Sequence, residues 1–97
     1  MCDPIFELGQ IVATPGAIEA INSAGETAVS FLQRHASGNW GEVDPHDASA
    51  NEAAVEDGSR ILSAYRTATG IRIWVITEAQ DDSGHRAATT ILLPEEY

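Results

Sequence analysis

Arg60–Ala79, RILSAYRTATGIRIWVITEA, is the stretch whose reading decides the fold. From Arg60 to Arg66, Ile61, Ser63 and Tyr65 alternate with Arg60, Leu62, Ala64 and Arg66. From Ile71 to Thr77, Ile71, Ile73 and Val75 alternate with Arg72, Trp74 and Ile76. A period of two is the signature of a strand, and Ala68, Thr69 and Gly70 between the runs supply a turn. Apolar groups on both faces of IRIWVI predict a central strand. After a polar loop, Gln80 to His85, the run Ala87–Leu93 predicts a third strand stopped by Pro94. The expected product is a three-stranded antiparallel meander.

Upstream, the chain reads as cover for that sheet. Ile5, Phe6, Leu8, Ile11 and Val12 around Gly9 predict an edge strand or a packed extended arm. Thr14-Pro15 is a helix start, an N-cap followed by proline at the first helical position. Ile18 and Ile21 give that helix its apolar face, and Asn22 to Gly25 end it. A second helix is expected from Glu26 to His35, with Val29, Phe31 and Leu32 inward and Gly38 as the stop. Trp40, between Gly38 and Gly41, is expected to plug the gap between helices and sheet. Asp44-Pro45 opens a third helix, through Ala48, Asn51, Ala54 and Val55 to Asp57-Gly58. The fold class expected is therefore α+β: an N-terminal short strand or arm, three short helices and the meander, with the helices packed on one face.

The 97 residues suit one domain, 1–97. Cys2 is the only cysteine, which excludes an internal disulfide and a cysteine-rich metal site and suits a reducing cytoplasm. No apolar run reaches the ~20 residues of a membrane helix, and MCDPIFELGQ lacks the pattern of a signal peptide. A cytoplasmic protein with no membrane partner is expected.

Charge is the most unusual bulk property. Fifteen Asp and Glu stand against five Arg and no Lys, a formal net charge of −10. Nucleic-acid binding rests on neutralising phosphates with cations, so no direct nucleic-acid partner is expected. The charge is also uneven: Glu42, Asp44, Asp47, Glu52, Glu56 and Asp57 cluster without an arginine, while Arg60, Arg66, Arg72 and Arg86 fall in the strand-rich part. A solvated helix face explains the acidic run; a surface that attracts a basic partner explains it as well.

Catalytic and metal chemistry find little footing. His35 sits in a last helical turn, where histidine serves as a cap or dipole partner, and no nucleophile is tied to it by spacing. Asp44, His46 and Asp47 are the right ligand types for a metal, yet neither a second histidine nor the periodic pattern of a calcium loop accompanies them. No cofactor and no catalytic residue are expected.

Two resemblances bear on function. LGQIVATPGAIEAI, GNWGEVD, GSRILSAY, IWVITEA and TTILLPEEY resemble a family of small bacterial proteins frequent on plasmids and other mobile elements, sometimes labelled restriction-system subunits. The loop Gln80 to Arg86 is longer than the compact connection of that family. This resemblance implies a genomic neighbourhood of defence and counter-defence, and supplies no catalytic residues. The order of elements is also similar to toxins of the RelE and ParE type. That implies an RNA-cutting alternative with Arg60, Arg66, Arg72 and Arg86 for phosphate and His85 or Tyr65 as acid or base.

The expected function is thus a non-enzymatic acidic interaction protein of mobile-element origin, an inhibitor of a bacterial defence complex (anti-CRISPR or anti-restriction). Its partner would be a protein with a basic surface. The expected contact residues are Trp40, Glu42, Asp44, Asp47, Glu52, Glu56 and Asp57, with the arginine face of Arg60, Arg66 and Arg72 as a second surface. The alternatives are the toxin-type ribonuclease and a housekeeping binding module that homodimerises through the sheet edge or the Trp74 face.

Overall fold

The computed structural model describes residues 4–97. Its elements run β1 (Gln10–Ala13), α1 (Pro15–Ser23), α2 (Ala28–Ala36), α3 (Pro45–Asp57), β2 (Ile61–Arg66), β3 (Arg72–Thr77), β4 (Ala88–Leu92) and a closing 3-10 turn, Pro94–Glu96. The class is α+β, and the predicted meander β2-β3-β4 is present with antiparallel pairing throughout. The sheet itself differs from the expectation. It has four strands in the order β1-β4-β3-β2, and β1 runs parallel to β4. The segment read as an edge strand or an arm is the fourth strand. α1, α2, α3 and the first two meander strands separate it from β4, and a connection of that length permits parallel pairing.

Local chemistry sets the helix ends. Thr14 and Thr27 accept from Ala17 N and Ser30 N, Asp44 accepts from Asp47 N, and Pro15 and Pro45 hold the first helical positions. Gly58 closes α3 in the left-handed region at φ 84°. α2 begins at Ala28, two residues after the expected Glu26. The Glu26 side chain instead accepts from Ala68 N and ties the β2–β3 turn to the helical layer.

Alternation along the strands sends Ile61, Ser63, Tyr65, Ile73, Val75, Thr77, Thr89 and Ile91 to the helical side, all buried. One apolar cluster joins Tyr65, Ile73, Val75 and Ile91 to Ala17, Ile21 and Phe31. A second joins Ile61 to Phe6, Trp40 and Ala54. Trp40 does plug this layer, stacked on Phe6 at 6.0 Å between centroids. Two expected core positions face solvent instead: Ile18 and Val29 are exposed, because Ala17 and Ile21 carry the inner face of α1 and Phe31, His35 and Ala36 that of α2. The far side of the sheet presents Leu62, Ala64, Trp74, Ile76 and Leu92. Tyr97 meets the Trp74 ring there at 5.7 Å.

β2 is an edge strand, but its outer side is not bare. Trp40 O accepts from Ala64 N, Glu42 N donates to Ala64 O, and the Asn51 side chain reaches Leu62. Gly41 allows the close approach at Ala64. Its φ is 75°, and a Cβ there would lie 2.6 Å from the Tyr65 ring.

Candidate functional site

The densest chemistry lies inside the molecule. His35 is 0% exposed, with Nδ1 2.5 Å from Ser63 Oγ and Nε2 2.8 Å from Thr77 Oγ1. Thr77 Oγ1 lies 2.7 Å from Thr89 Oγ1, and Thr89 Oγ1 donates to Leu8 O at 2.7 Å. Proton directions follow from the carbonyl end. Leu8 O can only accept, so it uses the Thr89 hydrogen, and Thr77 must then donate to Thr89. Thr77 can therefore accept only from Nε2–H. That leaves Nδ1 bare and Ser63 as its donor. The chain runs Ser63 to His35 to Thr77 to Thr89 to Leu8, crossing α2, β2, β3, β4 and the segment before β1.

The rings of Phe6 and Trp40 stand edge-on to the imidazole at 5.1 and 6.1 Å. Burial, reinforced by the Arg86 charge, holds the His35 pKa down at about 4. A serine hydroxyl on a histidine has the outline of a nucleophile and its base. Here Ser63 donates to a ring sealed from solvent, and both groups are spent on joining layers. The expected cap role of His35 is thereby corrected: its helix position is terminal, but its side chain faces the sheet.

Arg86 is a buried cation. At 2% exposure, its guanidinium donates to Ala54 O at 2.9 Å, Ser59 O at 2.8 Å and Glu78 O at 3.0 Å, and lies 5.7 Å from the Phe6 ring centre. It binds the last turn of α3 to the segments leaving α3 and β3. Burial lowers its pKa, while Asp57 and Glu7 act in the opposite sense. Arg86 is thus withdrawn from the phosphate-contact set. So is Tyr65 as an acid or base: it is buried, its hydroxyl donates to Asn39 O, and burial pushes it up to about 12. His85 is exposed and pairs with Glu7 at 3.3 Å, far in role from those two.

Asp44, Asp47, Glu52, Glu56 and Asp57 are all exposed on α3 and its cap. Among the described residues none of the five ion-pairs with an arginine. His46 Nδ1 lies 3.9 Å from Asp47 Oδ1, and the Arg86 charge acts on Asp57. Hydrogen bonds from Ser59 hold the Asp57 carboxyl below the usual range. Ligand atoms of Asp44, His46 and Asp47 lie within 4.8 Å of one another. They sit at a helix N-terminus, whose positive dipole end opposes a cation, and Asp44 is already used as the cap.

The remaining predicted residues divide. Trp40 is 6% exposed and belongs to the core, so its ring is not offered to a partner. Glu42 is exposed and pairs with Arg66 at 3.2 Å. Arg66 stands directly opposite Arg72 on the far face of the sheet, while Arg60 lies at the other end of β2, hydrogen-bonded to the Tyr97 hydroxyl and over its ring. The arginines therefore occupy two ends of one face rather than a single cleft. An open cleft of about 300 Å³ between α3 and β2, lined by Asp47, Ala50, Asn51, Arg60 and Leu62, is where the acidic helix meets that face.

No family model, no curated protein and no solved structure matches the chain.

The exposed chemistry is a helix of carboxylates beside a sheet face with separated guanidinia; of the acid–base candidates, His35 and Tyr65 are internal and His85 is exposed. Sequence reasoning missed the His35 network and the Arg86 clamp because both depend on contacts across the fold. The signal available was alternation: Ser63 and Thr77 fall on the same strand faces as Ile61 and Val75, where an apolar residue would be expected.

Proposed function

We propose that the chain is a non-enzymatic protein-binding module. Its α3 face and the adjoining loop at Glu42 engage a basic, nucleic-acid-binding surface of a partner protein. The observation that carries this is the set of exposed carboxylates Asp44, Asp47, Glu52 and Glu56, which form no ion pair with an arginine among the described residues, while Asp57 beside them faces the buried Arg86 charge. Carboxylates held apart on a rigid helix repel one another and lose that repulsion when a cationic surface docks, which favours steering and register as much as affinity. The resemblance to mobile-element proteins narrows the partner to a bacterial defence complex, a CRISPR or restriction machine, and the consequence of binding to its inhibition.

The test is capture from cells that carry such systems, paired with restriction of phage and plasmid during expression. Recovery of a defence component, with affinity falling at least ~10-fold in Glu52→Lys/Glu56→Lys and with added salt, is the expected result. Recovery of no defence component together with unaltered restriction sinks the reading. The ribonuclease alternative retains only Arg60, Arg66, Arg72 and His85 as accessible groups. RNA cleavage by the purified protein, abolished by Arg72→Ala, would replace the binding proposal.

A further inference from the structure

The two edges of the sheet are treated differently. Along β2 the outward groups of Leu62 and Ala64 are all occupied, by Asn51, Trp40 and Glu42. Along β1, Gln10 N donates to Ala87 O and Thr14 N to Ile91 O, so the alternate residues Ile11 and Ala13 turn their N–H and C=O away from β4. Among the described residues nothing pairs with that outer row. Ile11 and Val12 are 44% and 42% exposed. Natural sheets blunt such an edge with lysine, proline or a bulge, and Gln10–Ala13, QIVA, contains none of these.

We propose that this edge is a homodimer interface, in which a second copy of the chain adds its own β1 antiparallel across a two-fold axis at Val12. The occupant follows from charge and from register. In a chain of net charge −10, two copies can approach only where carboxylates do not face each other, and β1 is a strand without a charged side chain. Ile11 and Ala13 are the residues whose groups point outward, two apart. Centring the axis on Val12 sets Ile11 opposite Ala13 of the second copy, and the reverse, each pair exchanging two hydrogen bonds. Val12 then meets Val12 in the non-hydrogen-bonded position, where side chains are closest. Gln10 falls opposite Thr14, again uncharged. The strand is self-complementary, as an isologous contact requires, and the result is one continuous sheet with no bare β1 edge.

Sedimentation over a concentration series, with hydrogen exchange on the unmodified protein, tests this. The expected result is a reversible dimer that strengthens with added salt, since salt screens the repulsion between like-charged copies. In that dimer the Ile11 and Ala13 amides exchange at least ~10-fold more slowly than under dilute conditions. Val12→Lys and Val12→Glu should each weaken the dimer at least ~10-fold, because either charge meets its own copy, and the exposed site should leave the fold intact by circular dichroism. A monomer up to about 1 mM overturns the proposal. So does a dimer whose Ile11 and Ala13 amides exchange freely, or one disrupted by only one sign of charge at Val12.

Discussion

Asn51 Nδ2 donates to Leu62 O at 2.7 Å while Asn51 Oδ1 accepts from Leu62 N at 3.1 Å, so one side chain of α3 makes the two bonds that a neighbouring strand would make. At neutral pH a carboxamide carries a donor and an acceptor side by side, as this arrangement needs, whereas an ionised carboxylate only accepts. Asn51→Ala should cost about 2 kcal/mol in urea unfolding, the cost of two part-buried backbone groups left without partners. Asn51→Asp should cost more at pH 7, since it sets a carboxylate against the Leu62 carbonyl. A variant as stable as the original would show that water replaces the side chain without loss.

The directional chain through His35 predicts strong non-additivity. His35→Leu alone should lose about 2–4 kcal/mol, because it leaves Ser63 and Thr77 buried without their partner. Adding Ser63→Ala and Thr77→Val should recover a substantial part of that loss, since polar groups removed together leave nothing unsatisfied. Equal additive losses from all three changes, measured by a mutant cycle, would show that the network contributes no coupling.

Acid should destabilise the protein in a defined window. His35 has its pKa lowered from 6.5 to about 4 in the fold, so the unfolded chain binds the proton first as pH falls. The stability from keeping it neutral is full above pH 6.5, declines between 6.5 and about 4, and is gone below; the drop is about 3 kcal/mol. Glu7, Asp57, Asp81 and Glu96, whose pKa values hydrogen bonds lower, add a further decline in the same direction as their unfolded-state carboxylates begin to protonate. In the His35→Leu/Ser63→Ala/Thr77→Val variant the decline from pH 6.5 should shrink and only the carboxylate limb remain. Stability that is level from pH 7 to 4 in the unmodified protein would contradict the assignment.

Arg86 should be intolerant even of lysine. Its planar fork reaches three carbonyls from three segments, and an ammonium on a flexible stem cannot satisfy the same set. Arg86→Lys is expected to lose at least ~2 kcal/mol and Arg86→Ala ~3 kcal/mol or more by thermal or urea unfolding. Loss of stability in these variants, at matched folded concentration, should leave partner capture through α3 unchanged. A specific loss of capture would return Arg86 to the binding surface.

Much of the architecture was legible in the residues. The alternation of 60–79, the caps at Thr14 and Asp44, and Gly58 as a stop each encode a local preference that the fold keeps. The parallel pairing of β1 was not, because four residues at the chain's start hold no mark of the partner they meet at Ala88–Ile91. Val29 reads as core by composition, yet α2 turns His35 inward, a choice that only Ser63, Thr77 and the Phe6 and Trp40 rings explain. On the surface, the clustering of acids on α3 was visible from their spacing. The removal of Trp40, Tyr65 and Arg86 from any contact surface was not, since burial is a property of the assembled layers.

The bond from Thr89 to Leu8 spans 81 residues of chain. Closing so long a loop has a high entropic cost and is compensated only once the meander already offers β4 as a template, so β1 should be the last strand to join during folding and the earliest to leave during local opening. A strand that docks late and detaches readily can also dock on the wrong molecule. The same parallel slot beside β4 is therefore where two chains refolding at high concentration would exchange their N-terminal segments.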